Sequence, residues 1–460
     1  MGYNKAVIVM AAGAGTRFKS QKSKLLHSFA GKPIIKYLSS SLAKLDDTQI
    51  IFVVSYQKDE VIKTIGESKN FVFAEQTVLN GTAGAVKSAL EYIDNSVKKV
   101  AVIPGDTPLI PADLVSQLLE DKNDVLVLGT KLKDPSGFGR IKTDTKGKVK
   151  EIIEETDLIG SDKKINMVNT SIYSFNRSFL DHGISEIKMN KNKKEFYLTD
   201  IVKLAVKSNK KVKCLEFRDY ELVLGANDRA GMLESSRKIW MERAVAKLEE
   251  GVTIIDPSRT YLDDECKVGK DVEIYPNVFL TGDTYLEDGV IVLEGCRINN
   301  SRIGEKSVIG PYVFIDGADI GDQNKIGPFT YVRPGTKTSS KVKIGGFVET
   351  KKAVVGSGSK IPHLSYVGDA FIGENVNIGC GVITCNYDGV NKNITEIEDN
   401  AFVGSDCQLV APVKIAKNAY VAAGTTLTKN VPQDALAISR TPQKNIEGYA
   451  KKIRDRKSKK

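Results

Sequence analysis

Histidine is scarce in this chain, with three in 460 residues (His27, His182 and His363), and there is a single tryptophan. The six cysteines (Cys214, Cys266, Cys296, Cys380, Cys385 and Cys407) stand apart, with no Cys-x-x-Cys pair. Without clustered thiols and imidazoles a zinc site is not expected. The same scatter, with no export signal, reads as reduced thiols in cytoplasm. No apolar run approaches the ~18 residues that a membrane-spanning helix needs. The opening "MGYNKAVIVMAAG" lacks a cleavage-site pattern, and its apolar stretch ends in glycines. Aromatic residues make up only 7 % and no nucleic-acid recognition motif appears, so the formal net charge of +10 does not indicate nucleic acid. A membrane surface and anionic small substrates remain as competing readings of that charge. The final "KKIRDRKSKK" reads first as a solvated basic tail.

The length predicts two or three domains. Up to about residue 228, strand and helix patterns alternate. "AVIVMAAG", "IIFVVSY", "FVFAEQ" and "KVAVIPGD" are continuously apolar strands, as in a parallel sheet covered on both faces. "PIIKYLSSSLAKL", with Pro33 in its first turn, "GTAGAVKSALEYI" and "PADLVSQLLE" have helical spacing. The alternation predicts an open, doubly wound α/β domain over residues 1–228. Residues 229–250 read as one connecting helix, capped by Asp228, stopped by Gly251, with Leu233, Trp240, Ala244 and Leu248 on an apolar stripe.

From 251 onward a six-residue period replaces the helical one. Leu262, Val268, Ile274, Leu280, Leu286 and Val292 are six apart, and the beat resumes at Ile397, Val403, Leu409 and Ile415. A hexapeptide repeat predicts a parallel β-helix whose aliphatic column is structural. Function is then expected at the break in the period, placed at about 333–395.

The first strand runs into "MAAGAGTRF". A dinucleotide fingerprint needs a third glycine where Phe18 stands, and the Gly-Lys-Ser/Thr of a P-loop is absent. What remains is a glycine turn whose N–H groups can meet an anion, with Arg17 and Lys24 to add charge. A plain strand-to-helix turn with two solvated cations competes. Asp106 in "VIPGDTPL" follows an apolar strand, at the sheet edge where ligands of such folds bind. A carboxylate there suits Mg²⁺ completed by phosphate oxygens, but taken by itself it reads first as the start of a turn before Pro108.

Taken together, "AAGAGTRF…SKLLH", "AEQTVLNGTAGA", "PGDTPLI", "GFGRI", "VNTSIY", "EFYLTD" and "GANDR" resemble, in order and spacing, the bacterial bifunctional N-acetylglucosamine-1-phosphate uridylyltransferase/glucosamine-1-phosphate acetyltransferase family. The resemblance covers essentially the whole chain. It implies a Rossmann-like nucleotidyltransferase domain followed by a left-handed β-helix that trimerises, and a place in cell-envelope precursor synthesis. By matching position, UTP and the sugar would be held by Met10, Ala11, Ala12, Gly13, Arg17 and Lys24. Gln76, Gly81, Thr82, Gly105, Gly139, Glu154, Asn169 and Asn227 would complete that pocket. Asp106 and Asn227 would hold Mg²⁺. Ser23 stands where the family usually has proline, which leaves Lys24 on a less stiffened loop.

His363 lies in "SKIPHLSYVGD"; a lone histidine is usually structural, but Arg333, Lys351, Lys352 and Lys392 gather around it in the sequence, and neutral imidazole is suited to take a proton from an amine near pH 7. The resemblance makes it the base that activates the amino group of glucosamine 1-phosphate toward acetyl-CoA. Arg333, Lys351, Tyr366, Asn377 and Lys392 would bind the sugar phosphate. Cys380, Asn386, Tyr387, Ser405, Ala423 and Arg440 would line the acetyl-CoA site, with Cys380 standing where alanine is common. His27 and His182 take structural readings. Two other functions compete: a single-activity sugar-phosphate nucleotidyltransferase with a structural β-helix, and a non-catalytic nucleotide-binding assembly protein. The set His363, Asn386, Tyr387 and Arg440 weighs against the first, and Asp106 with Asn227 against the second.

Overall fold

A computed structural model describes the chain except for residues 1, 14, 16–17, 191–193, 226–227 and 458–460 and the side chain of residue 457. The expected positions Arg17 and Asn227 therefore lie outside the described residues. Two compact units divide at Arg237/Lys238. No helix among the described residues is long and apolar enough to cross a membrane.

The first unit is built on strands β1 (Lys5–Met10), β2 (Thr48–Val54), β3 (Phe71–Glu75), β4 (Lys99–Pro104), β5 (Val125–Lys131), β6 (Arg140–Thr143), β7 (Val149–Ile153), β8 (Met167–Asn176) and β9 (Val212–Glu216). The main sheet runs β9-β5-β8-β4-β1-β2-β3, with β6 and β7 added beside β8. β1, β2, β3 and β4 are parallel, as their unbroken apolar runs predict: Ile8, Ile51 and Val102 are fully buried. The doubly wound pattern is departed from at β8, which inserts antiparallel between β4 and β5. Its sequence, "MVNTSIYSFN", gives no period that would distinguish it from a parallel strand.

Helices α1 (Ile34–Leu42), α2 (Lys58–Ile65), α3 (Thr82–Ala89), α4 (Ala112–Glu120), α5 (Arg177–Glu186) and α6 (Asp200–Lys207) accompany the sheet. Pro33 is the N-cap of α1 rather than part of its first turn. His182 lies within α5.

A long helix, Arg229–Glu249, follows. Asp228 Oδ1 accepts the Gly231 N–H at 2.9 Å, which caps its start, and Gly251 beyond its end has φ +93°. Its expected apolar stripe needs correction. Leu233 and Leu248 are exposed, whereas Ser236, Ile239 and Ala244 are buried. In the first unit Ser236 Oγ accepts the Ala30 N–H at 3.1 Å. In the second, Trp240 meets Tyr261 edge-on at 4.9 Å.

The second unit is a left-handed parallel β-helix. Its coils stack three inward columns. One holds Ile274, Val292, Ile309, Ile326 and Ile344; a second holds Leu280, Ile298, Ile315, Val332 and Thr350; a third holds Leu286, Ile303, Ile320, Thr338 and Val355. The expected interruption at 333–395 is corrected: the coils continue through it. Thr338 pairs with Ile320, Thr350 with Val332, and Thr384 with Leu409, each turned inward and buried. Small hydroxyl residues at aliphatic positions hide the beat without breaking the coil. The genuine departure is a hairpin after Cys385, closed by an antiparallel bridge between Tyr387 and Lys392.

Candidate functional site

In the first unit a cavity of about 630 Å³ opens at the carboxyl ends of β1, β3 and β4. The chain end of β1 supplies Met10, Ala11, Ala12 and Gly13 to its wall. Across from them stand Gln76, Gly81 and Thr82 from the turn between β3 and α3, and Gly139, Glu154 and Asn169 from the β6–β7–β8 side. Lys24 and Asp106 complete it. Gly105 N donates to Met10 O at 2.9 Å, which ties the two loops together. Every described residue expected to bind the nucleotide lines this cavity except Gly105, which sits between the lining residues Pro104 and Asp106.

The electrostatics are local. Lys24 Nζ forms an ion pair with Asp106 Oδ2, and the ammonium lies 5.4 Å from the Phe18 ring centroid. A Cβ on Gly225 would come within 2.8–3.0 Å of the Asp106 carboxylate, so only glycine leaves this carboxylate its place. Burial raises the Glu154 carboxyl above its ordinary value; Thr199 Oγ1, which donates to Oε1 at 2.8 Å, opposes the rise, and Asp157 and Asp200 add to it. Asn169 is buried, its Nδ2 donating to Tyr173 Oη at 2.8 Å and its Oδ1 accepting Ser171 N–H at 3.2 Å. Ser171 has φ +61° in a register shift of β8, which turns this segment toward the cavity.

Further polar and aromatic groups that the sequence reading does not single out, Phe138, Ser171, Glu195 and Tyr197 among them, also line the cavity. Each lies inside a motif that carries the family resemblance ("GFGRI", "VNTSIY" or "EFYLTD"), and that was the available signal.

His27 supports its structural reading. Its ring packs 5.4 Å from Phe18, Nε2 meets Ser20 Oγ at 3.2 Å, and burial lowers its pKa, with Arg229 and Lys22 adding to the effect. His182 is exposed on α5. Among the described residues no three His, Cys, Asp or Glu side chains converge to hold a metal ion.

In the β-helix the register organises the candidates. Gly346 pairs with His363 on the next coil. Ile378, Val403 and Val421 pair in the same column, and two residues beyond them stand Cys380, Ser405 and Ala423. His363, Cys380, Ser405 and Ala423 therefore occupy one corner on successive coils. Cys380 is half-buried and the other three are exposed. Tyr366 begins the strand that leads from this corner to the next, where Lys351 pairs with Gly368 and Arg333 N donates to Thr350 O at 2.8 Å.

That second corner is cationic. The Lys351 ammonium is lowered below the usual lysine range chiefly by Lys392 beside it, and Arg333 adds to the effect against the opposing charge of Asp369. Arg333 Nη1 pairs with Glu349 Oε1 at 2.7 Å. Crowded cations of this kind are relieved by an anion such as a phosphate. The hairpin that carries Lys392 is anchored by buried Asn386, whose Nδ2 donates to Asp369 Oδ2 at 2.5 Å, while Tyr387 stays exposed. The structure does not bring Asn377 to the cationic corner. It pairs with Lys360 and Phe402 on a different face. Arg440 is exposed beyond the last coil.

Residues 6–242 match the nucleotidyl transferase family, and residues 394–429 the bacterial transferase hexapeptide family of six repeats. The chain is 43 % identical over 448 residues to the bifunctional protein GlmU of Carboxydothermus hydrogenoformans, covering 96 % of this chain and 99 % of that one. It is 41 % identical to the bifunctional protein GlmU of Geotalea daltonii, over 96 % of this chain and 98 % of the relative. The corresponding protein of Listeria monocytogenes is 38 % identical, over 97 % and 98 %.

Proposed function

Because this chain belongs to the family of bifunctional GlmU proteins, we propose that it builds UDP-N-acetylglucosamine at two separate sites, one in each unit. The chain is a uridylyltransferase and an acetyltransferase of UDP-N-acetylglucosamine synthesis. We assign uridylyl transfer to residues 1–228, the connection to 229–250 and acetyl transfer to 251–460. The observation that carries the first assignment is the convergence of Gln76, Lys24, Asp106 and Glu154 on one cavity at the strand ends.

In that cavity Gln76 and the Gly81–Thr82 turn read the uracil edge, and the Met10–Gly13 turn admits the nucleotide closely. Arg17 and Lys24 face the phosphates. Glu154, Asn169 and Gly139 hold the sugar. The phosphate of N-acetylglucosamine 1-phosphate attacks the α-phosphorus of UTP, a new P–O bond forms, and pyrophosphate leaves. No protein nucleophile takes part, since positioning and charge neutralisation carry the rate. The Asp106 carboxylate opens on the cavity and pairs there with Lys24, and a lone carboxylate with phosphate oxygens suits Mg²⁺. Asp106, with Asn227, would hold that ion, which neutralises charge on the phosphates when bound.

In the β-helix, Arg333, Lys351 and Lys392 bind the phosphate of glucosamine 1-phosphate, with Tyr366 and Asn377 at the sugar. Acetyl-CoA lies along the column Cys380, Ser405 and Ala423, with Asn386, Tyr387 and Arg440 beside it. His363 takes the proton from the 2-amino group as the amine attacks the thioester carbonyl, and the CoA thiolate leaves. Placement of Asn377 on a different face from Lys351 supports a site completed between neighbouring β-helices, as in a homotrimer, and we assign the protein to the cytoplasm. The hexapeptide β-helix suggests oligomerisation.

Purified protein given glucosamine 1-phosphate and acetyl-CoA is expected to release one CoA per N-acetylglucosamine 1-phosphate, and with UTP and Mg²⁺ to go on to UDP-N-acetylglucosamine and pyrophosphate. Absence of CoA release would reduce the protein to a nucleotidyltransferase. A pH series probes Glu154. Its raised pKa means that, as pH falls, the ionised form is lost before the ordinary carboxylate value of 4.5 is reached. KM for the sugar phosphate should rise more steeply over that descent in wild type than in Glu154→Gln, which keeps only the titration of the substrate's own phosphate. A wild-type KM that rises no more steeply than the variant's removes the ionised Glu154 from sugar binding.

A further inference from the structure

We propose that Asn80 is a positioning residue that fixes which way the Gln76 amide faces, and so makes the cavity select uracil over cytosine. The inference rests on the uridylyl-transfer reading above. Gln76 follows β3, its N–H donates to Val54 O at 2.9 Å, and the residue is 4 % exposed. Its Nε2 donates to two acceptors: Asn80 Oδ1 at 3.2 Å and Gly81 O at 3.3 Å. A main-chain carbonyl can only accept, so an inverted Gln76 would set oxygen against oxygen. Both Nε2 hydrogens are thus directed at the protein. Oε1, which takes no hydrogen bond from the described residues, is left to meet the base as an acceptor.

The surroundings hold this arrangement. Asn80 O accepts the Phe196 N–H at 2.8 Å, which pins the residue's main chain. Gly81 has φ +102°, and a Cβ there would lie 2.5 Å from Phe196 O, so its carbonyl is turned back on Gln76 by a conformation that favours glycine. A Cβ on Gly84 would fall on Asn80 Oδ1 and 3.1 Å from Gln76 Nε2; glycine in the first turn of α3 makes room for the two amides to meet.

The chemistry then separates the pyrimidines. Uracil offers an N3–H donor, which Gln76 Oε1 accepts. Cytosine offers a lone pair at N3, which would face the same oxygen and leave both groups unpaired. A site built around a hydrogen bond rejects a ligand that cannot make it far more strongly than an apolar pocket rejects a change of shape. Gln76 reads the base, and Asn80 with Gly81 O decides which of its two polar ends does the reading.

The test compares kcat/KM for UTP and CTP, with N-acetylglucosamine 1-phosphate and Mg²⁺, in wild type, Asn80→Ala and Asn80→Asp. Wild type is expected to prefer UTP. In Asn80→Ala the preference should fall about tenfold, the loss of one directing hydrogen bond. Asn80→Asp keeps an acceptor and cannot donate, so its UTP-to-CTP ratio should stay near wild type even where its charge weakens both nucleotides. Should Asn80→Ala not fold, Gly84→Ala displaces Asn80 without changing its amide and should lower the ratio likewise. A ratio in Asn80→Ala within twofold of wild type overturns the role of Asn80. A wild-type enzyme that accepts CTP as readily as UTP overturns the uridylyl reading itself.

Discussion

Asp106→Ala should abolish uridylyl transfer and leave acetyl transfer intact. Asp106 follows β4, faces the cavity and is the partner of Lys24. Losing its carboxylate has two consequences at once: the phosphates lose the oxygen that would anchor Mg²⁺, and the Lys24 ammonium loses the charge that holds it at the strand ends. Removing one group that stabilises transition-state charge typically costs ~10²–10³ in kcat, and the loss here should reach at least that range. Asp106→Asn, which keeps the shape and not the charge, should be impaired nearly as much. The β-helix site contains no residue of this cavity, so CoA release from acetyl-CoA and glucosamine 1-phosphate should match wild type. Assaying pyrophosphate and CoA on the same preparation checks both halves. Retained uridylyl transfer would remove Asp106 from the metal site.

His363→Ala should do the reverse. His363 stands exposed at the corner that Cys380, Ser405 and Ala423 continue. A positioned general base contributes ~10²–10⁴ in rate, so CoA release should fall by that factor while uridylyl transfer persists. The loss should appear in kcat more than in KM for glucosamine 1-phosphate, because Arg333, Lys351 and Lys392 still hold the phosphate. A variant that loses affinity for the sugar phosphate and keeps kcat would make His363 a binding group instead.

Much of this was legible in the sequence, for identifiable reasons. The parallel strands announce themselves because burial on both faces demands unbroken apolar runs, as in "AVIVM" and "IIFVV". The β-helix announces itself because every inward position must be filled, and aliphatics fill most of them. The reading fails where another side chain meets the same demand. Thr338, Thr350 and Thr384 point inward as isoleucine does elsewhere, so a continuous coil reads as a gap. It fails again on the helix Arg229–Glu249, where Ser236 and Ile239 are buried and Leu233 and Leu248 are not, although Ala244 is buried as expected.

The candidate site divides in the same way. Glycines and charged residues of the cavity stand in short motifs next to strand ends, which makes them readable singly. The alignment of His363 with Cys380, Ser405 and Ala423 depends on the lengths of individual coils and on one inserted hairpin, and a fixed six-residue step cannot supply it. Residues that act through others are not told apart from their neighbours within a motif such as "AEQTVLNGTAGA" or "EFYLTD". Asn80 and Thr199 enter only through the atoms they hold, Gln76 Nε2 and Glu154 Oε1.

The central claim is that one chain carries two independent sites that act in sequence on the same sugar phosphate. Mixing the two variants tests it most directly. Glucosamine 1-phosphate, acetyl-CoA, UTP and Mg²⁺ are supplied to Asp106→Ala alone, to His363→Ala alone, and to an equal mixture, and UDP-N-acetylglucosamine is measured. Each variant alone should yield almost none, and the mixture should restore its formation through free N-acetylglucosamine 1-phosphate. Full product formation by either variant alone, or none from the mixture when both are folded, would contradict the account.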